Sequence, residues 1–305
     1  MPLSHDPVAH AGPFLLHPFA LTSGAALVLG FCLALWSVAR AGLTAKYFPG
    51  TFAIVVLGSF VVARLAFIAL HPEMFRDGAQ GIFSIWRGGF NLAGGVAGAA
   101  ALLALVTWAR GEPFWRWADA VAPSVALALA VGMLGLPGSG EGWGMPTRGP
   151  IFMTVDPSLR PVELINAVHF HPIFAYEAVY FAVLAAVLWA IRWRQRTTGW
   201  PGDGTAGLTF LVLTAFAYGG LRPLTLDAST TALVLRTQAL CLVIAGVAAT
   251  ILVMRAWQHH REVQDAQEIA ATHALKRERE EQFVNALRTV ARGARESNAS
   301  GRPEE

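Results

Sequence analysis

Residues 51–71 read TFAIVVLGSFVVARLAFIALH, twenty-one positions with a single formal charge, Arg64. About 20 consecutive apolar residues are enough to carry a helix across the hydrocarbon of a bilayer. Six further runs have the same character, near 15–39, 90–109, 118–136, 172–192, 205–222 and 234–256. None alternates polar and apolar residues as a membrane barrel strand does. In lipid, backbone N–H and C=O groups have no water to pair with, so each run is expected to be a helix. The fourth and sixth are short and are expected to be tilted, broken or partly buried in protein.

Composition agrees. Hydrophobic residues make up 54% of the 305 positions and charged ones only 14%, against roughly a quarter in soluble domains. Of 23 Lys+Arg and 20 Asp+Glu, the stretch 258–305 takes 8 and 9. The remaining 257 residues are too poorly charged to clothe a water-facing surface. This excludes a soluble enzyme, a disulfide-stapled secreted domain and a disordered chain. The reading is an all-α polytopic integral membrane protein with about seven transmembrane helices. It divides into a membrane domain over 1–257 and a polar tail over 258–305, helical at first and disordered over Glu296–Glu305. No basic block is dense enough to track nucleic-acid phosphates. Cys32 and Cys241 lie in apolar runs and read as buried thiols.

The short loops give an orientation. Arg40, Lys46, Arg110, Arg116, Arg192, Arg194, Arg196, Arg255 and Arg261 fall on one side. The other side dilutes its arginines with Glu73, Asp77, Glu141, Asp156, Glu163 and Asp227. The first side is expected to be cytoplasmic, with the N-terminus outside and the C-terminus inside. Before the first run no positively charged region appears, so it reads as an uncleaved span. The far-side loop 137–150, PGSGEGWGMPTRGP, mixes residues that permit φ > 0 with residues that fix φ, and is expected to be shaped. The piece Ile82–Trp86 is expected to be interfacial.

Ionisable groups inside apolar spans are costly and therefore informative. Arg64 lies in the second span; Tyr176 and Glu177 lie about one and a half turns into the fifth, after His171-Pro172. Tyr218 and Arg222 are four apart in the sixth, with Asp227 soon after. These groups and Glu141 converge on the far side, where two arginines suit an anionic headgroup. Each also has a plainer reading. Arg64 either pairs structurally or meets lipid phosphate; Glu177 either packs helices or does chemistry. The run Gly88–Gly95 either cradles phosphate or lets helices approach closely. His169 and His171 have no further ligand at metal-site spacing.

Four segments, in order over residues 62–227, resemble bacterial prolipoprotein diacylglyceryl transferases. Ala63-Arg64-Leu65 precedes Trp86-Arg87-Gly88-Gly89 and the doublet Gly94-Gly95, similar to the family's Gly-Gly-Met-Ser-Phe-His-Gly-Gly run. Glu141-Gly142-Trp143-Gly144, followed by Pro146-Thr147, looks like the end of its Arg-x-x-Asn-x-x-Asn-x-Glu-x-x-Gly signature. His171-Pro172-Ile173-Phe174-Ala175-Tyr176-Glu177-Ala178 resembles its His-Pro-x-x-x-Tyr-Glu-Ala helix, and Tyr218-Gly219-x-x-Arg222 its Tyr-Gly-x-x-Arg segment.

The resemblance implies transfer of a diacylglyceryl group from phosphatidylglycerol to the cysteine thiol of a pre-lipoprotein signal segment, at a bacterial plasma membrane. It implies no metal or organic cofactor. By resemblance Arg222 holds the phosphate, while Glu141, Tyr176, Glu177 and Tyr218 shape the polar cavity. We assign Tyr218, Arg64, Gly144, Arg148 and Asp227 to the same headgroup site as Arg222. The sequence departs from the family at several positions. The signature Arg falls on Met133, its asparagines on Leu136 and Ser139, and the loop His on Ala93. Leu21–Gly24 replaces the family's His-x-Tyr-Gly, and Leu226 its second acid. A base for the thiol is then sought among His171, His169 and Glu177. The alternative is a catalytically silent homologue that binds anionic lipid or a membrane-protein partner.

Overall fold

The computed structural model describes residues 9–11, 14–16, 18–72, 89–221, 224–225 and 231–300. Arg222, Asp227, the interfacial piece Ile82–Trp86 and the Trp86-Arg87-Gly88 part of the glycine motif lie outside them. A short hairpin pairs β1 (Ala9–Ala11) with β2 (Phe14–Leu16). Among the described residues seven α-helices follow: α1 (Pro18–Arg40), α2 (Phe48–Leu70), α3 (Leu92–Ala109), α4 (Phe114–Met133), α5 (Ile173–Thr198), α6 (Thr205–Leu221) and α7 (Thr231–Ser300). Six are long and apolar enough to cross a membrane, and α6, at 17 residues, is apolar but shorter. Between α4 and α5, β3 (Met153–Thr154) pairs antiparallel with β4 (His169–Phe170). The chain forms two compact units, Met1–Arg255 and Ala256–Glu305, the second helical through Ser300.

Helix α4 is the hub of the first unit, packing on α1, α3, α5 and α6. It is the most buried span and the least hydropathic. A helix wrapped by protein need not match lipid, so it tolerates Asp119 and Ser124, both buried. Its small residues Ala122, Ala126 and Ala130 form a stripe four apart that seats Phe181, Leu184, Ala185 and Leu188 of α5. Helices α2 and α3 touch through similarly small surfaces. A Cβ on Gly94 would lie 2.3 Å from Ala66 Cβ, and one on Gly98 2.6 Å from Val62 Cβ. The glycine-rich start of α3 is thus a packing surface, the plainer of its two readings. The Gly94 N–H is used as well, bonded at 2.8 Å to the side chain of Asn91, which caps the helix.

The Asp119 carboxylate is fully buried and accepts three hydrogen bonds. Two come from backbone N–H groups of Gly204 and Gly207 at the start of α6, each 2.8 Å, and one from Gln195 Nε2 at 2.9 Å. An acid on one helix therefore satisfies the orphan donors and positive end of another. Arg192 stands 3.9 Å away. In the sequence Asp119 stands near the start of the run 118–136. A lone acid inside an apolar run was the available signal.

The two cysteines are not disulfide-bonded, but only Cys241 is buried. Cys32 is exposed on α1, correcting the expectation that both are interior.

Candidate functional site

Backbone pairing at the end of the bundle opposite the Arg-rich junctions builds the site. After α4 the chain makes a short 3₁₀ turn, Leu136–Ser139, closed by Gly140 in the left-handed region. Glu141 donates its N–H to Leu136 O at 3.1 Å, and its side chain is exposed. Gly142 accepts the N–H of Phe174, in the first turn of α5, at 2.8 Å. Its φ of +80° suits glycine, and a Cβ there would press on Leu136 and Phe174. Gly144 donates to His171 O at 2.9 Å and bridges Thr225, while Met145 donates to Leu224 O at 2.8 Å. One strand-like segment, 144–147, therefore lies between the entry to α5 and the segment after α6. The loop is shaped, as its glycines and prolines suggested.

Beneath it, Met153, Val155 and Phe170 form a small core, packed by Trp143, Leu159, Leu164 and Phe174. Trp143 also donates its indole N–H to Gly140 O at 2.7 Å. This core fixes β4, and through it His171.

His171 Nδ1 lies 3.2 Å from the Tyr176 hydroxyl oxygen, and both residues are half-buried. One residue on, Glu177 lines a narrow cleft with Leu92, Tyr180, Phe181, Ala217, Tyr218 and Leu221. Tyr218 and Leu92 also wall a second narrow cleft, whose lining includes Ala93, Thr214 and Ala215. Thr214 Oγ1 is buried there without a hydrogen-bond partner among the described residues. Ala93, where the family motif has histidine, is buried at this wall. Met133 packs on the main core, and Leu136 lies under Gly142.

The structure thus brings together Gly144, His171, Tyr176, Glu177 and Tyr218, with Glu141 one residue before the Gly142 contact. Arg64 is buried and donates through Nη1 to Gly89 O at 2.9 Å, with its guanidinium 5.9 Å from the rings of both Phe67 and Phe90. It holds the backbone that leads into Leu92 of the cleft. Arg148 is exposed and makes no hydrogen bond or ion pair among the described residues. Arg222 and Asp227 lie outside the described residues. Two polar residues that line these clefts do not stand out in the sequence: Thr214, a hydroxyl inside an apolar run, and Tyr180, which donates to Leu213 O at 2.8 Å.

A model of the prolipoprotein diacylglyceryl transferase family matches residues 7–254. The chain is similar to the phosphatidylglycerol–prolipoprotein diacylglyceryl transferase of Synechococcus elongatus, 30% identical over 182 residues, 59% of this chain and 63% of that one. It is similar to that of Thermosynechococcus vestitus, 32% over 165 residues, 54% and 59%. It is also similar to that of a Nostoc species, 26% over 210 residues, 69% and 74%. The match spans less than two thirds of the length of the first two relatives.

Proposed function

Because the chain belongs to the prolipoprotein diacylglyceryl transferase family, we propose that it transfers a diacylglyceryl group from phosphatidylglycerol to a pre-lipoprotein cysteine. The thiolate sulfur bonds to the glycerol carbon that carries the phosphate ester. That carbon–oxygen bond breaks, and glycerol phosphate leaves with the electron pair. A thiol of ordinary pKa near 8.5 needs a base for this, and the leaving phosphate needs a cation. His171 is the base we favour. With Nδ1–H donating to the Tyr176 oxygen, Nε2 keeps the lone pair that takes the thiol proton. The proton then goes to the departing phosphate. Arg222 is the cation, and Glu177 and Tyr218 shape the cleft beside it.

The observation that carries this reading is the Gly144 segment. It ties the entry of α5, with His171 and Tyr176, to Leu224 and Thr225 just beyond Arg222. In the same reading the N-terminus is outside, the C-terminus is cytoplasmic, and the site faces the outer leaflet of a bacterial plasma membrane. The buried alanine at position 93 favours a second reading, a silent homologue that binds anionic lipid or a membrane-protein partner without transfer. One experiment separates the two. The full chain is expressed in a bacterium depleted of its own transferase, and lipidation of a test pre-lipoprotein is measured directly. Lipidation supports transfer; its absence, with the protein present in the membrane at normal level, supports the silent reading.

A further inference from the structure

At the Arg-rich end of the bundle two cations share one aromatic ring. Lys46 Nζ lies 4.9 Å, and the Arg110 guanidinium carbon 5.2 Å, from the centroid of Tyr47. Lys46 is in the connection between α1 and α2, and Arg110 immediately follows α3. The two charges are therefore held within about a screening length, ~10 Å at 0.1 M salt. Arg110 is fixed in place, since Nη1 donates to Thr51 Oγ1 at 2.5 Å and to Tyr47 O at 3.3 Å. Its Nη2 reaches over Gly50, 3.8 Å from where a Cβ would stand. Both cations are exposed, and among the described residues neither is paired with a carboxylate.

Two like charges gathered on one ring repel unless an anion joins them. The surroundings say which anion. Tyr47 is 42% exposed, its neighbours Leu43 and Phe48 are buried in the α1–α2 contact, and α2 enters the membrane directly afterwards. An exposed tyrosine at a span end occupies headgroup depth. Nearby, Arg40 stacks over the exposed Trp36 at the end of α1, so the collar continues along the same edge. We propose that Lys46, Tyr47 and Arg110 form a binding site for the phosphate of an anionic phospholipid, at the end of the bundle opposite the transfer site. Guanidinium and ammonium both bond the phosphate oxygens, and the tyrosine ring lies along the glycerol and upper acyl region.

The site is tested on the full chain in detergent, with a photoreactive phosphatidylglycerol as probe and mapping of the labelled peptides. Labelling of residues 44–51 or 107–113 is expected, undiminished by excess phosphatidylcholine. Lys46→Gln, an exposed residue with no hydrogen bond to lose, should reduce this labelling about tenfold, the equivalent of one charge-assisted contact. Arg110→Gln should do the same and Arg110→Lys should restore part of it. Labelling at the opposite end, and any transfer activity, should not change in these variants. A wild-type chain that lipidates nothing but is labelled here leaves this site standing while the transfer reading falls. The site is wrong if Lys46→Gln labels like wild type, or if phosphatidylcholine competes equally. Complete displacement by inorganic phosphate would overturn the lipid assignment in favour of a soluble anion.

Discussion

The Nδ1 atom of His171 lies 3.2 Å from the hydroxyl oxygen of Tyr176, across the first turn of α5. Pro172 is the N-cap, so His171 stands one residue before it and Tyr176 is the fourth helical residue. These two positions meet at many helix starts, usually through apolar side chains. Here the meeting pair is polar: the Tyr176 hydroxyl orients the imidazole, and Tyr176 directly precedes Glu177 of the cleft. Tyr176→Phe keeps the ring and removes the oxygen. It should slow lipidation of a test pre-lipoprotein by about 10–100-fold with little change in thermal stability. His171→Asn should cost about 10²–10⁴-fold, the range of a general base. Equal activity in His171→Asn and wild type would remove His171 from the mechanism and leave His169 or Glu177.

The helices were legible because lipid imposes a simple rule, a long apolar run without alternation: all seven runs became helices, most of them close to their expected ends, while α5 runs on from the expected 192 to Thr198 and α7 continues through the polar tail to Ser300. The His-Pro-x-x-x-Tyr-Glu sequence likewise announced a helix entry bearing two polar groups. What pairs with what was not legible. Nothing local in Gly142-Trp143-Gly144 says that it lies between residues 171–174 and residues 224–225, since those contacts depend on how three distant segments close. Asp119 escaped for the same reason: its partners, Gly204 and Gly207, are more than eighty residues away.

Asp119 joins α4, α5 and α6 at the Arg-rich end, far along the bundle from the cleft. Asp119→Ala removes two backbone caps and leaves Arg192 buried without its carboxylate. Breaking a buried pair in this way costs roughly 3–5 kcal/mol. The melting temperature in detergent should fall clearly for Asp119→Ala, and also for Asp119→Asn, whose NH₂ faces a backbone donor. Wild-type melting in both variants would show that the carboxylate does not hold these helices together.

Gly144 admits no side chain. A Cβ there would stand 2.2 Å from the Leu224 carbonyl oxygen and 2.8 Å from Ile173 Cγ1. Gly144→Ala must part residue 144 from residues 224–225, and so shift the segment that carries Arg222. Transfer should drop by at least about tenfold, equivalent to ~1.4 kcal/mol. Gly246→Ala is the matched control, because a Cβ at that helical position meets nothing within 4 Å. It should leave activity intact and add up to about 1 kcal/mol of helix stability. Comparable losses in the two variants would mean that the 144–224 contact has no special role.

The proposed orientation rests on the positive charges of the α1–α2, α3–α4 and α5–α6 junctions. A reporter fused after Glu262 should be active only when it is of a type that works in the cytoplasm. Activity of an export-dependent reporter at that position would invert the topology and place the cleft in the inner leaflet.

Arg222 lies outside the described residues, but both sides of it are anchored. Tyr218 lines the cleft with Glu177, and Leu224 accepts a hydrogen bond from Met145. It is four positions from Tyr218, about one helical turn in the sequence pattern. A guanidinium presents paired donors that match two phosphate oxygens; lysine keeps the charge without the fork, and glutamine keeps neither. If Arg222 steadies the leaving phosphate, Arg222→Gln should lower transfer by about 10²–10³-fold and Arg222→Lys by less, with melting near wild type in both. A merely structural arginine would behave differently. Its loss would lower stability and activity together, and lysine would recover the two in proportion. Measuring lipidation rate and detergent melting on the same three proteins distinguishes these outcomes. Unchanged phosphatidylglycerol turnover in Arg222→Gln would move the anion site to Arg64 or another cation.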